Sequence, residues 1–150
     1  MAIAEDVYAD PSALLKLYLK EPESRAMARW RAKHGSPLPV THHGRVELIN
    51  GIGLATHRGF ITEPTSKAAL AALDDDFAKG RYIQTDVLWR AALKRAGELS
   101  RKHTPTLGCR SLDVLHVASA VELNLRHFVT FDLRQQQLAK AVGLKLIIPA

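Results

Sequence analysis

The sequence predicts an α/β protein with parallel strand pairing, and three observations carry that expectation. Short apolar runs recur along the chain at Val7-Tyr8-Ala9, Leu38 to Thr41, Tyr82-Ile83-Gln84, His127 to Phe131 and Leu144 to Ile148. Segments with helical apolar spacing lie between them. Breakers such as Pro22, Gly35-Ser36-Pro37, Gly80 and Gly143 fall where one segment gives way to the next. Strands separated by helices pair in parallel through crossover connections.

Taken in order, the strand Val7-Tyr8-Ala9 leads into a helix from about Ser12 to Glu21, which Pro22 stops. Glu23 to His34 places Ala26, Met27 and Trp30 at helical spacing. The strand Leu38 to Thr41 precedes a helix from about Gly44 to Arg58. In that helix Asn50-Gly51-Ile52-Gly53 carries two glycines, each costing ~1 kcal/mol relative to Ala. Thr65 to Lys79 spaces Leu70, Leu73 and Phe77 as a helix does, and Gly80 closes it. After the strand Tyr82-Ile83-Gln84, Asp86 reads as the N-cap of a helix to about Lys102. His103 to Arg110, with Pro105 and Gly108, reads as a loop. Ser111 reads as the N-cap of a helix over Leu112 to Leu125. The strand His127 to Phe131 ends at Asp132, and a short helix around Gln135 to Val142 precedes the last strand.

Residues 1–150 are expected to form one domain, since the chain is long enough for one core and short for two. Apolar residues make up 47% and charged ones 24%, close to the usage of soluble globular proteins, which suggests neither a disordered nor a membrane class. No apolar stretch approaches the ~20 residues that span a bilayer. Glu5 and Asp6 interrupt the N-terminus before a signal-like region forms. The single cysteine, Cys109, suits a reducing compartment, so a cytoplasmic location is expected. A net charge of +6 leans toward a polyanionic partner.

The chemistry lies in the acids. In open parallel sheets ligands bind beyond the carboxyl ends of the strands. Asp10 and Asp132 stand at two such ends. Glu47, in Arg45-Val46-Glu47-Leu48-Ile49, falls one turn after the second strand, and Asp113 opens the largely apolar helix Leu112-Asp113-Val114-Leu115-His116-Val117-Ala118. Four acids gathered at one sheet edge repel, and burying them unpaired costs several kcal/mol each or forces protonation. A divalent cation removes the conflict. Mg²⁺ or Mn²⁺ takes hard oxygen ligands and shares them with substrate phosphates, which suits a nuclease.

The order of these blocks resembles a known family. Asp10-Pro11-Ser12-Ala13-Leu14-Leu15-Lys16-Leu17-Tyr18, Val46-Glu47-Leu48, Leu112-Asp113-Val114-Leu115-His116-Val117-Ala118-Ser119-Ala120 and Val129-Thr130-Phe131-Asp132 look like the four signature blocks of PIN-domain ribonucleases. The likeness is greatest to VapC-type toxins of toxin–antitoxin pairs, and it spans essentially the whole chain. It implies a three-layer α/β/α sandwich around a central parallel sheet. It also implies a Mg²⁺ or Mn²⁺ site with Asp10 and Asp113 as central ligands, completed by Glu47 and Asp132 directly or through water. Ser12 and Thr130 match supporting hydroxyl positions, and His116, one turn from Asp113, is a candidate to orient the site. Family members cut RNA, are neutralised by a cognate antitoxin and frequently form homodimers. The alternative is an inactive PIN-like module that binds RNA or a partner, against which all four acids stand. The segment Thr41-His42-His43-Gly44-Arg45 departs from the family's usual Ser/Thr-led pattern.

Competing readings are weaker. Asp74-Asp75-Asp76 fans around a helix axis and reads as a solvated face. His42 and His43, read as extended, point to opposite faces and give no zinc spacing with His116. A receiver-like domain needs paired acids after the first strand, whereas Asp10 is followed by Pro11-Ser12. Arg45, Arg110 and Arg134 flank three of the acids and are the candidates for RNA phosphate contacts.

Overall fold

A computed structural model describes residues 6–150, and Glu5 lies outside the described residues. Two compact units are present: residues 11–85 with 149–150, and residues 6–10 with 86–148. Each has its own parallel ladder and its own helices.

In the second unit β1 (Val7–Ala9), β4 (His127–Val129) and β5 (Lys145–Ile147) form a three-stranded ladder in the order β1-β4-β5. Val7 stands opposite His127, Tyr8 opposite Phe128 and Ala9 opposite Val129. The Asp10 amide donates to the Val129 carbonyl at 3.0 Å, which carries the ladder one residue past β1. Three helices belong to this unit: α5 (Trp89–Leu107), α6 (Ser111–Glu122) and α7 (Leu133–Ala141). Val114, Val117 and Ala120 of α6 join Tyr8, Phe128, Leu138 and Leu144 in one apolar core. The near-continuous apolar strand sequences follow from this, because a parallel ladder is covered on both faces.

In the first unit β2 (Leu38–Thr41) pairs in parallel with β3 (Tyr82–Thr85), with helices α1 (Pro11–Leu15), α2 (Ser24–Lys33), α3 (His42–His57) and α4 (Glu63–Ala78). The Thr41 side chain caps α3 by accepting from the Gly44 amide at 3.0 Å, so His42 and His43 are helical rather than extended. Gly51 explains why α3 tolerates a glycine: an added Cβ would sit 2.6 Å from Leu15 Cδ1, where α1 packs on α3. Gly53 faces open space.

Several boundaries differ from expectation. The helix from Ser12 to Glu21 ends at Leu15, because Lys16, Leu17 and Tyr18 bond back three residues in tight turns. The loop that follows is satisfied locally: Ser24 Oγ accepts from the Glu21 amide and donates to the Leu19 carbonyl. His103 to Leu107 is helical, not loop. Pro105 removes one amide donor close to the end of α5, and Gly108 in the left-handed region (φ 69°) terminates it. Asp86 and Ser111 are not caps, since Leu88 and Arg110 occupy those positions. Helix α6 ends at Glu122, short of Leu125, and α7 begins at Leu133. Asp76 is not on a solvated face. It accepts from the Tyr18 hydroxyl and from Arg81 Nε, while Asp75 holds Arg81 and Lys79 at 3.0 Å.

No helix among the described residues is long and apolar enough to cross a membrane.

Candidate active site

Asp10, Thr130 and Asp132 reach one end of the second unit because β1 and β4 are parallel neighbours in register, so their carboxyl ends coincide. Asp10 is 3% exposed and Thr130 fully buried. Asp113 joins them from the first turn of α6, where backbone amides favour a negative charge.

One side chain that sequence reasoning missed ties these residues together. Gln135, fully buried in the first turn of α7, donates from Nε2 to Asp10 Oδ1 at 2.8 Å and to the Asp113 carbonyl at 3.3 Å. Its Oε1 accepts from the Thr130 hydroxyl at 2.6 Å, and that hydroxyl oxygen accepts from the Asp132 amide at 3.1 Å. Asp132 caps α7 by accepting from the Gln135 amide at 2.9 Å. The spacing Asp132-x-x-Gln135 is an N-cap followed by an amide three residues on, the one sequence signal that marks this glutamine.

The electrostatics follow from the crowding. Burial raises the Asp113 carboxyl above its ordinary value, the Asp10 charge raises it further, Arg110 opposes, and Asp132 adds to the rise. The Arg110 guanidinium lies 3.4 Å from Asp113 Oδ2, but it is mostly in solvent and neutralises little. Burial, then Asp113 and Asp132, also push the Cys109 thiol up, so a second group registers the same negative field. Cys109 is therefore a weak nucleophile.

The other predicted residues are placed as follows. Ser12 is exposed in the first turn of α1, and Glu47 is half-buried on α3, both in the first unit. Arg45 spends its guanidinium on Gln84 Oε1 at 3.1 Å and lies 4.0 Å over the Phe77 ring. Arg134 is exposed and reaches the Gly108 carbonyl at 3.3 Å. His116 faces the core, with Nδ1 2.5 Å from the Tyr8 hydroxyl. A cleft in the first unit, lined by Leu15, Leu19, Gly51, Leu54 and Phe60 among others, holds none of the predicted site residues.

Among the described residues no three His, Cys, Asp or Glu side chains stand close enough to form a ready-made ion cage. The carboxylates that are gathered, buried Asp10 with half-buried Asp113 and Asp132, fit a hard cation that keeps its own waters and needs only one or two protein oxygens.

Residues 7–141 match the PIN domain family. Ribonuclease VapC46 of Mycobacterium tuberculosis (strain ATCC 25618 / H37Rv) is 30% identical over 147 residues, covering 96% of this chain and 98% of that protein. Ribonuclease VapC35 of Mycobacterium tuberculosis (strain CDC 1551 / Oshkosh) is 28% identical over 148 residues, covering 95% and 96%. In three dimensions the chain is similar to the crystal structure of FitAcB from Neisseria gonorrhoeae, with a TM-score of 0.64, 15% identity and coverage of 94% and 96%, a likeness of fold. With a match that takes in β1, β4 and every acid of the predicted set, the chain belongs to the PIN domain family, in its VapC-type branch.

Proposed function

We propose that the protein is a metal-dependent endoribonuclease that hydrolyses RNA phosphodiester bonds and acts as the toxin of a toxin–antitoxin pair. The geometry carries the reading: Gln135 bonds both Asp10 and the Asp113 main chain, and the Asp113 carboxyl, raised by burial and then by Asp10, registers a crowding that a divalent cation relieves. Two relatives named as ribonucleases, similar over nearly their whole length, support it.

In this proposal Asp10 and Asp113 hold Mg²⁺ or Mn²⁺, and Asp132 contributes through its carboxylate or an intervening water. Glu47 enters the set from its sequence block alone. When bound, the cation activates a water and offsets charge on the scissile phosphate. The chain's own residues supply the rest. The Gln135 amide and the Thr130 hydroxyl hold Asp10 in place, and the α6 N-terminus steadies Asp113. Exposed Arg110 and Arg134 offer charge to neighbouring RNA phosphates, which positions the strand without reading its sequence. Arg45, bonded to Gln84 and lying over Phe77, is assigned to an RNA phosphate, and Ser12, exposed on α1, to support of the acidic set. A cognate antitoxin and a homodimeric state complete the proposal.

The test compares wild-type and Asp10→Asn protein on total cellular RNA, with Mg²⁺ and with a chelator. Metal-dependent fragments that vanish in the variant are expected. Identical patterns from both proteins overturn the catalytic assignment.

A further inference from the structure

We infer that Gln135 is a positioning residue for the cation-binding carboxylates, fixing Asp10 and the α6 segment that bears Asp113 through one oriented amide. The inference rests on the proposed metal-dependent activity and assigns a role to a residue outside the acidic set.

The plain alternative is a buried glutamine that merely satisfies itself. Three observations argue for more. First, the donors of Nε2 go to the two segments that matter, Asp10 Oδ1 at 2.8 Å and the Asp113 main chain at 3.3 Å, rather than to its own helix. Second, the orientation of the amide is determined. The Asp113 main-chain carbonyl can only accept, so the NH₂ group must face it and Asp10, and Oε1 takes the Thr130 hydroxyl proton. Third, Gln135 is fully buried, so its amide has no solvent to turn toward.

The result is a relay across three elements: Asp132 amide to Thr130 hydroxyl, Thr130 hydroxyl to Gln135 carbonyl, and Gln135 amide to Asp10 carboxylate. A ligand carboxylate held this way keeps one rotamer whether or not a cation is bound. Groups that orient metal ligands in this manner alter affinity by about 10- to 100-fold when removed. A glutamate at this position would lack the donors and add a like charge against Asp10. The amide is therefore chemically specific, not only the right size.

The experiment measures Mn²⁺ binding by calorimetry, without RNA, for wild-type, Gln135→Met and Thr130→Val protein, alongside denaturant unfolding of each. Thr130→Val keeps the volume of residue 130 and leaves Gln135 intact, removing the hydroxyl that donates to the Gln135 amide oxygen and accepts from the Asp132 amide. Mn²⁺ affinity is expected to fall about tenfold or more in Gln135→Met and several-fold in Thr130→Val. A role confined to packing would lower the unfolding midpoint but leave the affinity of the folded variants at the wild-type value, and that result overturns the inference. Should Gln135→Met fail to fold, Thr130→Val decides alone. Loss of Mn²⁺ binding by the wild-type protein itself would instead overturn the functional reading beneath it.

Discussion

The hydroxyl of Tyr8 on β1 and Nδ1 of His116 on α6 lie 2.5 Å apart in the core of the second unit, with the Tyr8 ring stacked on Phe128 at 5.4 Å. His116 is 1% exposed, so this bond has no water to replace it. Tyr8→Phe keeps the stacking and removes the hydroxyl. It is expected to lower unfolding stability by about 1–3 kcal/mol, measured by chemical denaturation.

A second prediction follows from Asp113. Its carboxyl is raised above 3.8, first by burial and then by Asp10, so the ionised form is disfavoured in the folded state. The folded protein thus binds the proton more tightly than the unfolded chain. Stability associated with this group is present below 3.8 and is lost as pH rises through the raised value. Asp113→Asn should flatten the decline in melting temperature between acid and neutral pH. Added Mn²⁺ should restore the wild-type melting temperature at neutral pH and leave that of the variant nearly unchanged.

The first unit carries an alkaline counterpart. Tyr18 donates to Asp76, and its hydroxyl oxygen lies 2.7 Å from that of Tyr82. Burial raises both phenols, Tyr82 to about 12 and Tyr18 further. Because the neutral form is favoured on folding, the stabilisation holds below the ordinary value of 10.0 and fades as pH climbs toward about 12. In a phenolate absorbance titration these two tyrosines should ionise together with unfolding. Tyr18→Phe should make the alkaline unfolding less steep.

The paired glycines of α3 give a fourth. Gly53 faces open space, so Gly53→Ala gains helix propensity without a clash and should stabilise the protein by up to ~1 kcal/mol. Gly51→Ala gains the same propensity but brings its Cβ to 2.6 Å from Leu15 Cδ1, so its thermal midpoint should fall below that of Gly53→Ala.

The strand positions were legible because the apolar runs are short and sharply bounded, as Val7-Tyr8-Ala9 is by Asp10. The placing of Asp10 and Asp132 at one end was legible for the same reason, since each directly follows such a run and β1 and β4 pair in register. Gln135 was hidden among Gln135-Gln136-Gln137, three residues of identical chemistry on a short helix, and only the cap at Asp132 sets one of them inward. Pro105 misled in the other direction. Near a helix end the missing amide costs one bond, and the helix continues until Gly108. The Asp75 and Asp76 contacts were invisible because their cation, Arg81, lies beyond the end of the helix and folds back onto it.

The topology of the second unit bears on when, during synthesis, the proposed site can form. Its first strand is made before the glutamine that grips Asp10, which lies 125 positions further along. When synthesis has reached Thr85, Asp10 still lacks β4, Thr130 and α7 beside it. The arrangement around Asp10 is therefore assembled only once α7 has been made, and a product that stops before Gln135 lacks it.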